Sequence, residues 1–202
     1  MKHILCEGGD ELGKNTLIEG LIKHFSFDNI HIRHFGKPPK EFPNEITPLK
    51  FQTECFYKEG YLLEKISQLE EDVYGYYENI VIWNRSHLGE YVYGQMFRDN
   101  DPSEIEDMIK NFEEQFLLNN SETYLILLTA DPEFFLSQED GKSFSKNIIQ
   151  KTEELKLFNK IFEKSSIDKK LKIKVNKNNT FISKSLILNK VIDFIKNNNY
   201  VE

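Results

Sequence analysis

The sequence predicts an α/β fold with a parallel sheet, on two observations. Short apolar runs of β-branched character recur at His3–Cys6, Ile30–Phe35, Asn79–Trp83, Tyr124–Thr129 and Leu171–Val175. Longer amphipathic stretches separate them, at 14–25, roughly 46–72, 88–97, 102–119, 145–164 and 181–198. Strands alternating with helices form crossover units, whose strands lie parallel and read as near-continuous apolar runs. At 202 residues the chain suits one domain with a sizeable core, and it carries no repeat or low-complexity segment.

Each strand is followed by residues that bear inspection, because parallel sheets place ligands beyond the carboxyl ends of their strands. The first strand runs into Glu7-Gly8-Gly9-Asp10-Glu11-Leu12-Gly13-Lys14, where Gly8, Gly13 and Lys14 stand at the spacing G-x-x-x-x-G-K. Leu17, Ile18, Leu21 and Ile22 follow at helical spacing. A run of backbone N–H groups ending at a helix N-terminus attracts anionic oxygens, and Lys14 adds a point charge for β/γ-phosphates. Residues Gly8, Gly9, Glu11, Leu12, Gly13, Lys14, Asn15 and Thr16 are therefore the expected ATP-binding set. Asn15 occupies the position where a Ser or Thr hydroxyl usually meets Mg²⁺; its amide oxygen or the Thr16 hydroxyl would have to serve.

The second strand ends at His34-Phe35-Gly36-Lys37-Pro38-Pro39, and the paired prolines stop it. The loop carries His34 and Lys37 toward the catalytic rim as substrate-binding candidates, Lys37 to a substrate phosphate, while His34 also fits a histidine with no task in the site. The long helix 46–72 offers Phe51, Gln52, Phe56 and Tyr57, which suit either a base, by stacking and an amide edge, or the core. The third strand leads into Asn84-Arg85-Ser86-His87-Leu88-Gly89-Glu90-Tyr91-Val92-Tyr93-Gly94, with Arg98 beyond. Only three arginines exist, Arg33, Arg85 and Arg98, so two of three fall here. Arg85 is the candidate for a bidentate grip on phosphate, and Arg98 for the same anion. Tyr91 and Tyr93 are further stacking candidates, Tyr91 preferred.

After the fourth strand, Asp131 reads as an N-cap with Pro132 at the first helical position. The polar stretch Ser137–Ser145 fits either an exposed turn or a lid over 137–146, with Lys142 and Lys146 as charge donors. The last helix carries an apolar stripe of Leu186, Ile187, Val191, Ile192 and Ile195.

The charge of −7 argues against stable nucleic-acid binding, yet it divides unevenly. Residues 1–141 carry 12 basic and 27 acidic side chains, while residues 142–202 carry 14 lysines and 6 acids. That basic last third either steers a polyanion or is a set of solvated helix faces. Cys6 and Cys55 lack metal-ligand spacing and read as buried free thiols of a reducing cytosol. No apolar run reaches the ~20 residues of a membrane span, and acidic residues at 7, 10 and 11 interrupt any signal-peptide pattern, so a cytoplasmic protein is expected.

Glu-Gly-x-Asp-x-x-Gly-Lys at residues 7–14 and the segment beginning Asn84-Arg85-Ser86-His87 resemble thymidylate kinases, and more closely the phage-type branch of thymidylate and deoxynucleoside monophosphate kinases. The resemblance covers roughly residues 2–175, with shared residues in the two motifs and topology elsewhere. It implies a P-loop NTPase fold of the nucleoside monophosphate kinase type, with a five-stranded parallel sheet. It also implies transfer of the γ-phosphoryl group of ATP to a nucleoside monophosphate with Mg²⁺. Through it Lys14 and Arg85 become the catalytic pair, Asp10 sits near the acceptor's sugar 3′-hydroxyl, and Arg85 contacts the acceptor phosphate. Asn84 stands where the family has a metal-shell aspartate and Asn15 where it has Ser or Thr, so both metal-facing positions are asparagine. Gln138 lies where a lid arginine is expected.

The expected activity is thus a deoxynucleoside monophosphate kinase acting on dTMP or a modified pyrimidine nucleotide. A deoxynucleoside kinase, a kinase of hydroxymethylated bases in DNA, and a nucleotide-binding module with weak catalysis stay open. The sequence leaves open whether the chain forms a homodimer.

Overall fold

The computed structural model describes residues 1–25, 29–35, 46–74, 79–119 and 121–197. Five parallel strands form one sheet: β1 (Lys2–Glu7), β2 (Asn29–His34), β3 (Asn79–Asn84), β4 (Glu122–Thr129) and β5 (Lys169–Lys174). Their order is β2-β3-β1-β4-β5, so β1 is central and its carboxyl end lies between those of β3 and β4. The register sets Cys6 and His34 each beside Asn84. The carboxyl ends of all five strands therefore share one edge of the sheet.

Alternation within the strands sorts side chains to two cores. Leu5, Val81, Trp83, Leu125 and Leu127 face α2 (Pro48–Tyr74), α3 (Leu88–Arg98), α4 (Pro102–Phe112) and α6 (Ile148–Lys164). Ile4, Cys6, Ile80, Ile82, Ile126 and Leu128 face α1 (Lys14–His24), α5 (Pro132–Ser137) and α7 (Lys184–Asn197). Both faces are covered, so β1 is buried throughout, including Lys2, which reaches Glu122 at 3.6 Å. Cys6 is buried, and Cys55 is half-buried rather than buried. Among the described residues no helix is long and apolar enough to cross a membrane.

The elements depart from expectation where capping chemistry decides. The second helix starts at Pro48, not 46, because proline suits the first helical turn. Asp101 caps α4 through the Ser103 and Glu104 amides, but the predicted helix 102–119 ends at Phe112 and continues as a wider π turn, Glu113–Leu117. Asn147 caps α6 through the Gln150 amide, so that helix begins at 148 rather than 145. The helix expected over 181–198 starts at Lys184, because residues before it form a hairpin, β6 (Asn176–Lys177) and β7 (Thr180–Phe181). Asn178 and Asn179 turn it with φ of 49° and 57°, the paired left-handed geometry that asparagine tolerates. Asp131 precedes α5 but makes no capping bond; its carboxylate instead pairs with Lys174 at 2.6 Å and accepts from the Asn176 amide.

Candidate active site

The loop from β1 to α1 is shaped by contacts that forbid side chains. Gly8 has φ +128°, and a Cβ there would lie 2.3 Å from the Leu128 carbonyl oxygen. A Cβ on Gly9 would meet the Phe135 ring at 2.2 Å. Gly13, at φ 88°, starts α1 without a side-chain cap, and the first turn holds no acidic residue. The amide end of α1 thus stays open to an anion. Lys14 is buried and folds back along the loop, donating to the carbonyls of Gly8 at 2.7 Å and Gly9 at 2.6 Å. Burial, with Arg85 nearby, pulls its ammonium down to about 8 against the opposing pull of Asp10 and Glu7.

A cavity of about 390 Å³ opens over this loop, lined by Asp10, Glu11, Gly13, Lys14, Asn15, Thr16, His34, Asn84, Arg85 and Gln138. Asn84 donates its side-chain amide to Asn15 Oδ1 at 2.8 Å. Arg85 has φ 61°, an unusual conformation for a side chain of its size, and its amide donates to the Cys6 carbonyl at 3.2 Å. Its guanidinium is ion-paired with Asp10, yet its buried Nε has no hydrogen-bond partner. His34 sits on the same rim, its imidazole pulled down by partial burial and by Arg85.

Behind Arg85 lies a second, narrow cavity of about 40 Å³, walled by Phe35, Gln52, Phe56, Ser86, Gly89, Glu90, Tyr93, Arg98 and Phe144. Arg98 is paired with Glu90, and its buried Nε also lacks a partner. Burial raises the Glu90 carboxyl against the opposing effect of Arg98. Tyr93 donates to Glu154 Oε1 at 2.8 Å; burial and this carboxylate push the phenol well above its ordinary range. A third recess, about 300 Å³, lies on the other side of the loop between Leu12, Gly13, Thr16, Leu17 and the half-exposed Phe181.

Several expected site residues lie elsewhere. Tyr91 is wholly buried in the core and donates to Glu106 at 3.0 Å, while Tyr93 takes the cavity wall. Residues 89, 90 and 93 share one face of α3, and Tyr91 lies on the other side. Gln52 lines the cavity with Phe56; Phe51, one position earlier, does not. Lys142 is largely exposed and reaches Asp140 at 3.8 Å. Lys146 donates to the Gly141 carbonyl at 2.6 Å, and neither lysine lines a cavity over the loop. Lys37 lies outside the described residues.

The lysine that organises segment 138–147 is one that the sequence did not single out. Lys151 is fully buried on α6, 2.8 Å from Glu139 and 3.1 Å from the Ser143 hydroxyl, with its ammonium 3.9 Å above the Phe135 ring. Burial opposes ionisation of Glu139, but Lys151, Ser143 and Lys146 outweigh it and hold the carboxyl at about 2. Glu139, Asp140 and Glu11 bring carboxylate oxygens within 4.8 Å of one another. Burial and these neighbours push Glu11 up to about 7.

No protein-family model and no curated protein matches the sequence. Solved structures match over nearly the whole chain. The YorR protein of Bacillus subtilis, in complex with phosphorylated GDP, is 16% identical, covers 99% of both chains and has a TM-score of 0.57. Thymidylate kinase of Candida albicans is 16% identical over 98% of this chain and 92% of its own, with a TM-score of 0.57. Polyphosphate kinase 2 of Arthrobacter aurescens is 12% identical over 97% of this chain and 68% of its own, with a TM-score of 0.61. Together with the five-stranded parallel sheet and the glycine loop between β1 and α1, these likenesses identify the architecture as the α/β fold of the P-loop kinases.

Proposed function

We propose that this chain is an ATP-dependent deoxynucleoside monophosphate kinase, with dTMP or a modified pyrimidine nucleotide as acceptor. The observation that carries the reading is the pair of arginines lining one cavity, Arg85 and Arg98, each with a buried Nε–H lacking an acceptor. A planar donor left unmatched is costly unless an anion completes it, and a phosphate monoester has the oxygens to do so.

In this reading the loop amides and Lys14 hold the donor's phosphates, and the recess beside Phe181 takes its base. The acceptor's phosphate meets Arg85 and Arg98, Asp10 faces its sugar, and Gln52 with Phe35 and Phe56 frames its base. Transfer between phosphate oxygens needs positioning and charge neutralisation more than a general base. Asn15 and Asn84 carry only neutral amide oxygens, and Asn15 Oδ1 already accepts the Asn84 amide, so a Mg²⁺ ion here would be held chiefly by substrate phosphates and water. Mg²⁺ when bound would neutralise charge on the transferring group. The segment 137–146, anchored by Lys151 through Glu139 and Ser143, serves as the lid, and the whole chain acts as one domain.

Replacing Arg85 by Ala tests the assignment. Loss of monophosphate binding with ATP binding intact supports it; a matching loss of ATP binding overturns it.

A further inference from the structure

A continuous run of buried polar contacts crosses the molecule behind the acceptor cavity. It starts at Glu7, the residue before Gly8, whose Oε1 accepts the Ser86 amide at 2.8 Å. The Ser86 hydroxyl lies 2.8 Å from His87 Nδ1, and His87 Nε2 lies 2.9 Å from Glu113 Oε1. Glu113 also accepts from the Ser165 hydroxyl at 2.7 Å and, through Oε2, from the Ser166 amide at 2.6 Å. His87 and Glu113 have no exposed surface, and Ser86 has 3%. Burial opposes ionisation of Glu113, but His87, Ser165 and Ser166 outweigh it and hold the carboxyl below its usual range.

Its contacts fix the histidine's orientation. In the neutral tautomer that donates Nε2–H to the Glu113 carboxylate, Nδ1 accepts the hydrogen bond of the Ser86 hydroxyl. The rings of Phe56 and Phe112 close around the imidazole, at 6.4 and 5.2 Å between centroids. Glu113 begins the π turn, a distortion often found at functional positions. A core needs no such network for stability, since buried polar groups cost free energy even when paired. What this one holds is Ser86, which lines the acceptor cavity and adjoins Arg85 in its left-handed conformation.

We infer that His87, clamped by Glu113, is a positioning residue: it fixes Ser86, and through the adjoining backbone it holds the Arg85 guanidinium toward the acceptor phosphate. The acceptor readout rests on the monophosphate kinase reading, so the test has a second readout that does not. With only three arginines, the protein labelled with ¹⁵N should give three resolved Nε–H signals. Ser86→Ala and His87→Gln should each move the Arg85 signal and leave that of Arg33 in place. In turnover, each should raise the KM for the monophosphate about tenfold while leaving the KM for ATP within about twofold. The double variant should be no worse than the worse single one, as for residues acting through one contact. Glu113→Gln, which keeps an acceptor for Nε2–H, should restore most of what Glu113→Leu loses. An unmoved Arg85 signal, additive effects, or equal losses for ATP and acceptor would overturn the inference. If wild type turns over no monophosphate while the Arg85 signal still responds, the kinase reading falls and the positioning role stands.

Discussion

Asn84 donates to Asn15 across 2.8 Å, joining the end of β3 to the first turn of α1 by a neutral contact. Neither residue brings negative charge to a metal, so any Mg²⁺ relies on the nucleotide's own phosphates. Asn84→Asp adds a carboxylate at that point. It should lower the Mg²⁺ concentration for half-maximal turnover several-fold, on the order of 1 kcal/mol for one added hard ligand partly screened by water. A Mg²⁺ titration of ADP release at fixed ATP checks this; an unchanged midpoint contradicts it.

In the proposed kinase, Lys14 links nucleotide binding to protons. Its ammonium is held at about 8, below its ordinary 10.5, mainly by burial. Polyphosphate beside it favours the charged form and raises the value again. Between pH 8 and the bound-state value, binding must take up protons. Calorimetry of nucleotide binding at pH 8.5 in two buffers of different ionisation heat should show uptake, and little at pH 6.5.

Glu11 gives a contrasting signature. Burial with Asp140 and Glu139 raises its carboxyl to about 7, above the unfolded 4.5. The sign follows: the associated stability is complete below the unfolded value and lost as pH rises through 7. Lys151 also faces this group and offsets part of the loss. Glu11→Gln removes the titration, so its melting temperature relative to wild type should climb from pH 5 to pH 8. A constant difference across that range contradicts the contact of Glu11 with Asp140 and Glu139.

Gly8→Ala sets a Cβ against the Leu128 carbonyl at 2.3 Å, from φ +128°. Neither backbone yields cheaply in a central sheet, so a loss of at least about 2 kcal/mol is expected. That corresponds to a fall in melting temperature of roughly 4–8 °C for a chain of this size. Gly13→Ala shares a positive φ, 88°, but meets nothing within 4 Å, so it should cost less.

The strands and the glycine loop were legible because apolar runs and glycine spacing are local signals. All five sheet strands fall within two residues of expectation. Helix ends were less legible because single caps decide them: Asn147 and Asn178-Asn179 each moved a boundary that apolar periodicity alone had drawn. Within the site, chain order pointed to Arg85 and Gln52, but not to which tyrosine turns inward. Tyr91 and Tyr93 have the same chemistry; their places differ only by the 200° between them on α3. Lys151 and Glu154 escaped notice because both lie inside an ordinary amphipathic helix, far in sequence from either motif. Their significance comes from packing against residues 139–145 and Tyr93.

The central claim concerns the acceptor, and one assay addresses it directly. ADP release from MgATP would be measured with matched pairs of deoxynucleosides and their 5′-monophosphates. Turnover with a pyrimidine monophosphate, and little with its nucleoside, is the expected result. Turnover with nucleosides alone would contradict the assignment of Arg85 and Arg98 to an acceptor phosphate.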